Sequence, residues 1–232
     1  MAYIYKIGPQ KKRNLFSTFS VNTWIILVNV ICWFAILIIY SINPDFLKYF
    51  ALQPMAIIHG KYLWTIFTSI FSHILFWHIF ANMVTLSFIG GFIQRILGQK
   101  RFLYFYLISG IFASLLFILL SILFGNSELG AKLFGNPEIF ALGASGAIFG
   151  LAGLMTLLIP RMKVLVFFII PMPIWMAMVF FLGFFWFLSA FAGLPIGNSA
   201  HFGGFLVGIV YGIYLKNKYP RKTEMLNKYF SH

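Results

Sequence analysis

The chain has 232 residues, 61% of them apolar and only 9% charged, with a formal net charge of +13. Soluble domains run about 45–50% apolar and about 25% charged, so a mean hydropathy of +0.93 excludes a water-soluble globule and leaves a multi-span membrane protein. The positive charge does not indicate nucleic acid, because the basic residues lie between apolar runs, where lipid headgroups meet them.

In chain order, the first apolar run extends from about Val21 to Tyr40, behind the basic Lys11-Lys12-Arg13. It is too long for a signal peptide and lacks a small-x-small cleavage site, so it is expected to be retained as a span. A span needs about 20 mostly apolar residues. Six segments qualify: 22–40, 70–93, 102–124, 145–160, 164–188 and 200–216. Segment 145–160 is short, bounded by Gly-Ala-Ser-Gly and by Pro160-Arg161. Cys32 is the sole cysteine and lies inside the first run, which excludes an intramolecular disulfide and leaves no metal-ligand pattern. No repeat and no separate soluble domain is expected.

The positive-inside rule sets the orientation. With the N-terminus inside, 1–21, 94–101, 161–163 and 216–232 are inner and hold 14 of the 17 basic residues. Lys48, Lys61 and Lys132 remain outside, as do Asp45, Glu128 and Glu138. Both termini are therefore expected in the cytoplasm, with the plasma membrane as the location. The expected organisation is a cytoplasmic segment at 1–21, a six-helix domain at 22–216 and a cytoplasmic tail at 217–232.

Polar side chains in lipid are costly unless paired or turned into a protected cavity. The candidates are His73, His78 and Asn82 in the second span, Ser145 at the start of the fourth and His201 at the start of the sixth. These three spans all run from outside to inside, so Ser145, His201 and His78 share the outer half of the bilayer. His78 and Asn82 are four residues apart and share a helix face. His73, five residues from His78, is rotated about 140° on a continuous helix and is expected to face elsewhere, as an interfacial residue. His59 is likewise expected in a loop, and His232 at a terminus.

Gly204, Gly208 and Gly212 continue a stripe from His201, and Gly146, Gly150 and Gly153 form a second beside Ser145. Small residues let membrane helices approach closely. The two stripes are expected to bring Ser145 within hydrogen-bond reach of His201. A serine hydroxyl needs an adjacent base to become a nucleophile. No span carries a carboxylate to complete a triad, so the chemistry expected is a Ser–His dyad with packing holding the imidazole. The Ser145 backbone N–H, the Asn82 amide and a His78 ring N–H are candidate donors to an oxyanion.

Together, Gly143-Ala-Ser145-Gly, His201 ahead of a glycine run in AHFGGFLVG, and HxxxN at 78–82 resemble the rhomboid family of intramembrane serine proteases. The stretch GGFIQRILG at 90–98 followed by Lys100-Arg101-Phe102 is also similar to that family's pattern, and the resemblance covers about 22–216. It implies an all-α six-helix rhomboid-like bundle, with Ser145 as nucleophile and His201 as general base. His78, Asn82 and the Ser145 amide would form the oxyanion hole, with Gly143, Phe149 and Gly204 in support. It implies no cofactor and no metal. The substrates implied are single-span membrane proteins cut near the outer end of their helix, with 189–199 as a cap and the fifth span as a lateral gate. Three positions depart from the pattern: Trp64 is followed by Thr65 rather than Arg, Gln94 replaces an acidic residue, and Phe149 stands where a Tyr is common. The rival readings are a non-catalytic rhomboid-like binder of client helices, which would not label with a serine-reactive probe, and a small transporter or His-ligated metal or haem protein, which would carry a metal or chromophore. Substrate identity and oligomeric state are not legible in the sequence.

Overall fold

A computed structural model of the chain describes residues 19–166 and 169–230. Its principal helices are α1 (Val21–Ile42), α2 (Phe76–Leu97, with a π-turn at Leu86–Gly90), α3 (Gln99–Phe124) and α4 (Ser145–Leu158). A hairpin of β1 (Lys163–Val166) and β2 (Ile170–Pro173) follows, then α5 (Ile174–Ala192), α6 (Asn198–Lys218) and α7 (Pro220–Tyr229). Helices α1, α2, α3 and α5 are long and apolar enough to cross a membrane. The helical membrane bundle expected from the sequence is thus present.

Helices α4 and α6 have a different environment. Helix α4 is only 14 residues long and is buried continuously from Gly146 to Met155. Helix α6 opens on Asn198-Ser199, ends in lysines, and buries Gly203, Gly204, Gly208 and Gly212. Helix α4 is apolar on all sides because protein encloses it, whereas α6 packs its glycine face inward and leaves Val210, Ile213 and Tyr214 exposed. Around them lie Phe102, Phe105 and Tyr106 of α3 and Leu151, Leu154 and Met155 of α4, all buried.

Contact between α4 and α6 is backbone against backbone. A Cβ on Gly204 would strike the Gly146 carbonyl, and one on Gly208 would strike the Gly150 carbonyl and the Leu154 amide. From the other side, Gly153 meets the Phe205 backbone, while Gly150 meets Ser109 of α3 and Gly146 meets Ala113. The two glycine stripes expected from the sequence do face each other.

Three boundaries differ from expectation. The segment expected to open the fifth span forms the hairpin instead, pairing Lys163 with Pro173 and Val166 with Ile170. Proline lacks an amide donor and disfavours helix in the residue before it, so Pro171 and Pro173 hold the chain extended and α5 starts only at Ile174. The second span starts late, at Phe76, because 72–74 are extended. The expected tail is itself structured: α6 runs to Lys218, and α7 folds back so that Phe230 meets Phe92 of α2 at 5.3 Å. The expected segment 1–21 lies almost wholly outside the described residues.

At the start of the bundle, Ser20 caps α1 by accepting from the Thr23 amide. The Asn22 amide donates to Gln94 Oε1 at 2.7 Å, and Asn22 Nδ2 donates to the Leu86 carbonyl inside the π-turn. Gln94, which stands where an acid was expected, therefore ties α2 to the first turn of α1 without a charge.

The α4–α6 contact generates a stability prediction. Gly208→Val should lower stability by about 1–3 kcal/mol or more, because the obstructing atoms are backbone and cannot rotate away. Thermal unfolding in detergent measures this. Gly183→Val, on open space in α5, should change the midpoint far less.

Candidate active site

Ser145 is the first residue of α4, and its amide is among the first-turn N–H groups for which a helix has no internal partner. His201 lies in the first turn of α6. Because the glycine stripes hold these helix starts together, Ser145 Oγ and His201 Nε2 stand 2.8 Å apart. The His201 ring is buried and lies flat on Phe149, with centroids 4.5 Å apart and planes 12° apart. Phe185 of α5 covers it from another side at 5.7 Å. His201 Nδ1 is buried without a hydrogen-bond partner among the described residues. The ring is thus oriented by the stack and by its one bond to Ser145, not by a carboxylate.

His78 and Asn82 lie on α2, on the face turned toward the start of α4. A Cβ on Gly143 would run into the His78 ring, and Gly143 has φ +127°, a conformation that only glycine adopts readily. Glycine at 143 is therefore required twice: for the turn into Ser145 and for the approach of His78. The Asn82 amide donates to the His78 carbonyl at 3.0 Å and meets His73 Nε2 at 3.1 Å.

His73 is not turned away, contrary to the helical projection. It is fully buried, its ring 5.0 Å from that of His78, and its Nε2 also accepts from the Ala144 amide at 3.3 Å. The projection fails because residues 72–74 are extended: five residues of helix were assumed where the helix has not begun. Trp33 of α1 donates to the Ile74 carbonyl at 3.1 Å and Ser72 to the Phe50 carbonyl at 3.0 Å, which fixes this stretch. The adjoining Gly143 amide donates to the Ser69 carbonyl at 2.9 Å. No proline or glycine marks the break at 72–75, so no local signal could have exposed it. His59, by contrast, is an exposed loop residue as expected, bonded through Nδ1 to the Met55 carbonyl.

This arrangement can be compared with known proteins. Residues 60–218 match the Rhomboid domain. The chain belongs to the rhomboid family. The match excludes α1, so it is narrower than the 22–216 covered by the resemblance. "Rhomboid protein 1, mitochondrial" of Saccharomyces cerevisiae is 32% identical over 69% of this chain and 44% of its own length. "RHOMBOID-like protein 12, mitochondrial" of Arabidopsis thaliana is 31% identical over 64% of this chain and 45% of its own length. "Rhomboid protease GluP" of Bacillus subtilis is 30% identical over 72% of this chain and 29% of its own length. The chain therefore spans less than half the length of each of these relatives. Two of them are named as mitochondrial, so the plasma membrane expected from the sequence gains no support; what stands is a rhomboid-family membrane protein.

Among the departures from the rhomboid pattern, Trp64 still anchors its loop by donating to the Tyr49 carbonyl at 3.0 Å, and the buried Thr65 bonds to the Tyr62 carbonyl. Phe149 gives the flat stack that the position requires, without a hydroxyl. The connection expected to span 189–199 is shorter, since α5 continues to Ala192 and α6 starts at Asn198. Its ends are joined by Asn198 Nδ2 donating to Ser189 Oγ at 2.8 Å, while Ser189 donates to the Leu194 carbonyl.

The position of His73 carries a prediction. His73→Leu removes the acceptor shared by the Ala144 and Asn82 amides and should lower stability by about 1–3 kcal/mol, the cost of leaving buried donors unpaired. Equilibrium unfolding in mixed micelles measures it. His59→Leu should be close to neutral.

Proposed function

We propose that this rhomboid-family protein is an intramembrane serine endopeptidase whose nucleophile is Ser145 and whose general base is His201. The observation that carries the reading is the 2.8 Å pairing of Ser145 Oγ with His201 Nε2 on a ring held flat by Phe149. In the reaction, Ser145 Oγ attacks the substrate carbonyl carbon while its proton passes to His201 Nε2. The ring's other proton then resides on Nδ1, which makes Nε2 the basic nitrogen. The oxyanion that forms is bound by the Ser145 amide, the Asn82 amide and a His78 ring N–H. Collapse of the adduct breaks the C–N bond, and His201 returns the proton to the departing amine. Water, deprotonated by His201 in turn, releases the acyl group from Ser145. No step draws on a cofactor or metal.

The proposed protease unit is 22–216, a bundle of six crossing helices with both chain ends on the basic side and the dyad in the opposite half of the bilayer. The substrates in this reading are single-span membrane proteins cut near the end of their helix on the dyad's side. Helix α5 supports a gate reading: it lays an apolar face bearing Val179, Phe187 and Phe191 toward lipid and places Phe185 against the dyad. The rival is a rhomboid-like binder that holds client helices without cutting them.

The deciding experiment reconstitutes the full chain with a single-span substrate. Ser145→Ala and His201→Ala should each reduce cleavage more than about a thousandfold. A fluorophosphonate probe should label the wild type and not Ser145→Ala. Turnover that survives either substitution overturns the dyad; a chain that binds the substrate helix but neither cuts nor labels is the binder.

The oxyanion assignment has its own expectation. Asn82→Ala should slow cleavage by about 10²–10³-fold while leaving probe labelling detectable. Unchanged turnover removes Asn82 from that role.

A further inference from the structure

At the end of the bundle away from the dyad, helices α3 and α6 present a cluster of tyrosines and cations. Phe105 of α3 stacks on Tyr211 of α6 at 4.9 Å, and Tyr211 stacks on Tyr214 at 5.9 Å. Arg101 is one turn before Phe105 on α3, and Lys218 is one turn beyond Tyr214 on α6. Because the two helices run in opposite directions, the stack brings both cations to the same edge. The Lys218 ammonium donates to the Tyr214 hydroxyl at 2.6 Å and lies 5.2 Å from the Tyr214 ring centre and 5.8 Å from that of Tyr219. Lys222, on the first turn of α7, also lies over the Tyr219 ring, 5.8 Å from its centre. The fold-back of α7 holds it there, with Tyr219, Leu226 and Phe230 packed against the core.

Arg101, Lys218 and Lys222 are all exposed, and none has a carboxylate within ion-pair distance among the described residues. The chain has four acids in all. Asp45, Glu128 and Glu138 lie in connections at the dyad's end of the bundle, and Glu224 is engaged 2.9 Å from Lys228. Three like charges are thus gathered on a rigid aromatic base with no protein counter-charge. Lys218 is already oriented by ring and hydroxyl, and the Tyr214 O–H, accepting from Lys218, keeps its own proton to donate. A phosphate oxygen is the acceptor that such a set fits: ammonium and guanidinium donors for charge, a hydroxyl for direction. The ends of α3 and α6 lie where apolar helix gives way to basic residues, which is the depth of lipid phosphate groups.

We propose that Arg101, Lys218 and Lys222, set on the Tyr211–Tyr214–Tyr219 cluster, form a binding site for the phosphate of an anionic phospholipid headgroup. The site is separate from the dyad and stands whether or not the chain cuts peptides.

Native mass spectrometry of the full chain in detergent tests it, with phosphatidylglycerol and phosphatidylcholine of matched acyl chains as probes. Phosphatidylglycerol should be retained at least about tenfold better, given a contribution of about fivefold for each basic residue near an anionic headgroup. Arg101→Gln/Lys218→Gln/Lys222→Gln should remove that preference, whereas Arg161→Gln/Lys163→Gln, at the hairpin, should keep it. Circular dichroism melts of both variants establish that they fold. Equal retention of the two lipids by the wild type, or an undiminished preference in the triple variant, overturns the site. Displacement by millimolar inorganic phosphate as effective as by phosphatidylglycerol assigns the cluster to soluble anions and overturns the lipid reading.

Discussion

The close approach of α4 and α6 is the constraint on which the rest of the structure depends. Ser145 and His201 are 56 positions apart in the chain, and neither side chain reaches far. Only when Gly204 sits on the Gly146 carbonyl and Gly208 on the Gly150 carbonyl do the two helix starts come close enough for a 2.8 Å bond. Lipid supplies no hydrophobic force to press helices together, so contact rests on dispersion and fit between surfaces without side chains. These two central helices also look least like membrane spans, for different reasons. Helix α4 is apolar but only 14 residues long, whereas α6 is diluted by Asn198, Ser199, His201, its glycine stripe and its terminal lysines.

The same logic separates what was legible in the sequence from what was not. Outer helices such as α1 and α3 face lipid, and lipid imposes a long apolar run that can be read directly. The glycine stripes were legible because a 3.6-residue period relates neighbours on one helix. Reading failed where the period was carried past the end of its helix. His73 was projected from His78 through residues that are extended, and those residues are held by contacts from elsewhere: Trp33 on α1, Phe50 in the first loop and, through Ser69, Gly143. No composition rule reveals such a tether. The hairpin at 163–173 failed for the opposite reason. Its apolar content satisfied the span criterion, while the decisive signal was two prolines, which hydropathy scores barely register.

At the candidate site, the absence of a carboxylate in any span changes how the imidazole is held. In a triad, an acid fixes the ring through one nitrogen. Here Phe149 fixes it by stacking flat on one face while Phe185 packs against it at a tilt, and His201 Nδ1 is left without a hydrogen-bond partner among the described residues. A buried carboxylate in lipid would carry a heavy desolvation penalty, and a stacked ring carries none. The Phe at 149 is sufficient for this because the stack needs a flat apolar face and no hydroxyl.

Asn82 shows that the resting arrangement and the proposed working one are in competition. Its amide nitrogen has two hydrogens, and both are engaged, one by the His78 carbonyl and one by His73 Nε2. To donate to an oxyanion it must release one of these. The bond to the His78 carbonyl is local to α2 and turns with the helix, whereas His73 Nε2 also serves the Ala144 amide and keeps a partner if Asn82 leaves. The exchange therefore falls on the His73 bond: a neutral hydrogen bond is given up for a charged one, which is about twice as strong. In the proposed reaction, His73 is a placeholder that keeps Asn82 aimed at the Ser145 end of α4 until a negative charge forms there. Its burial in an extended stretch beside α2, rather than on the helix, is what allows it to meet Asn82 and Ala144 together.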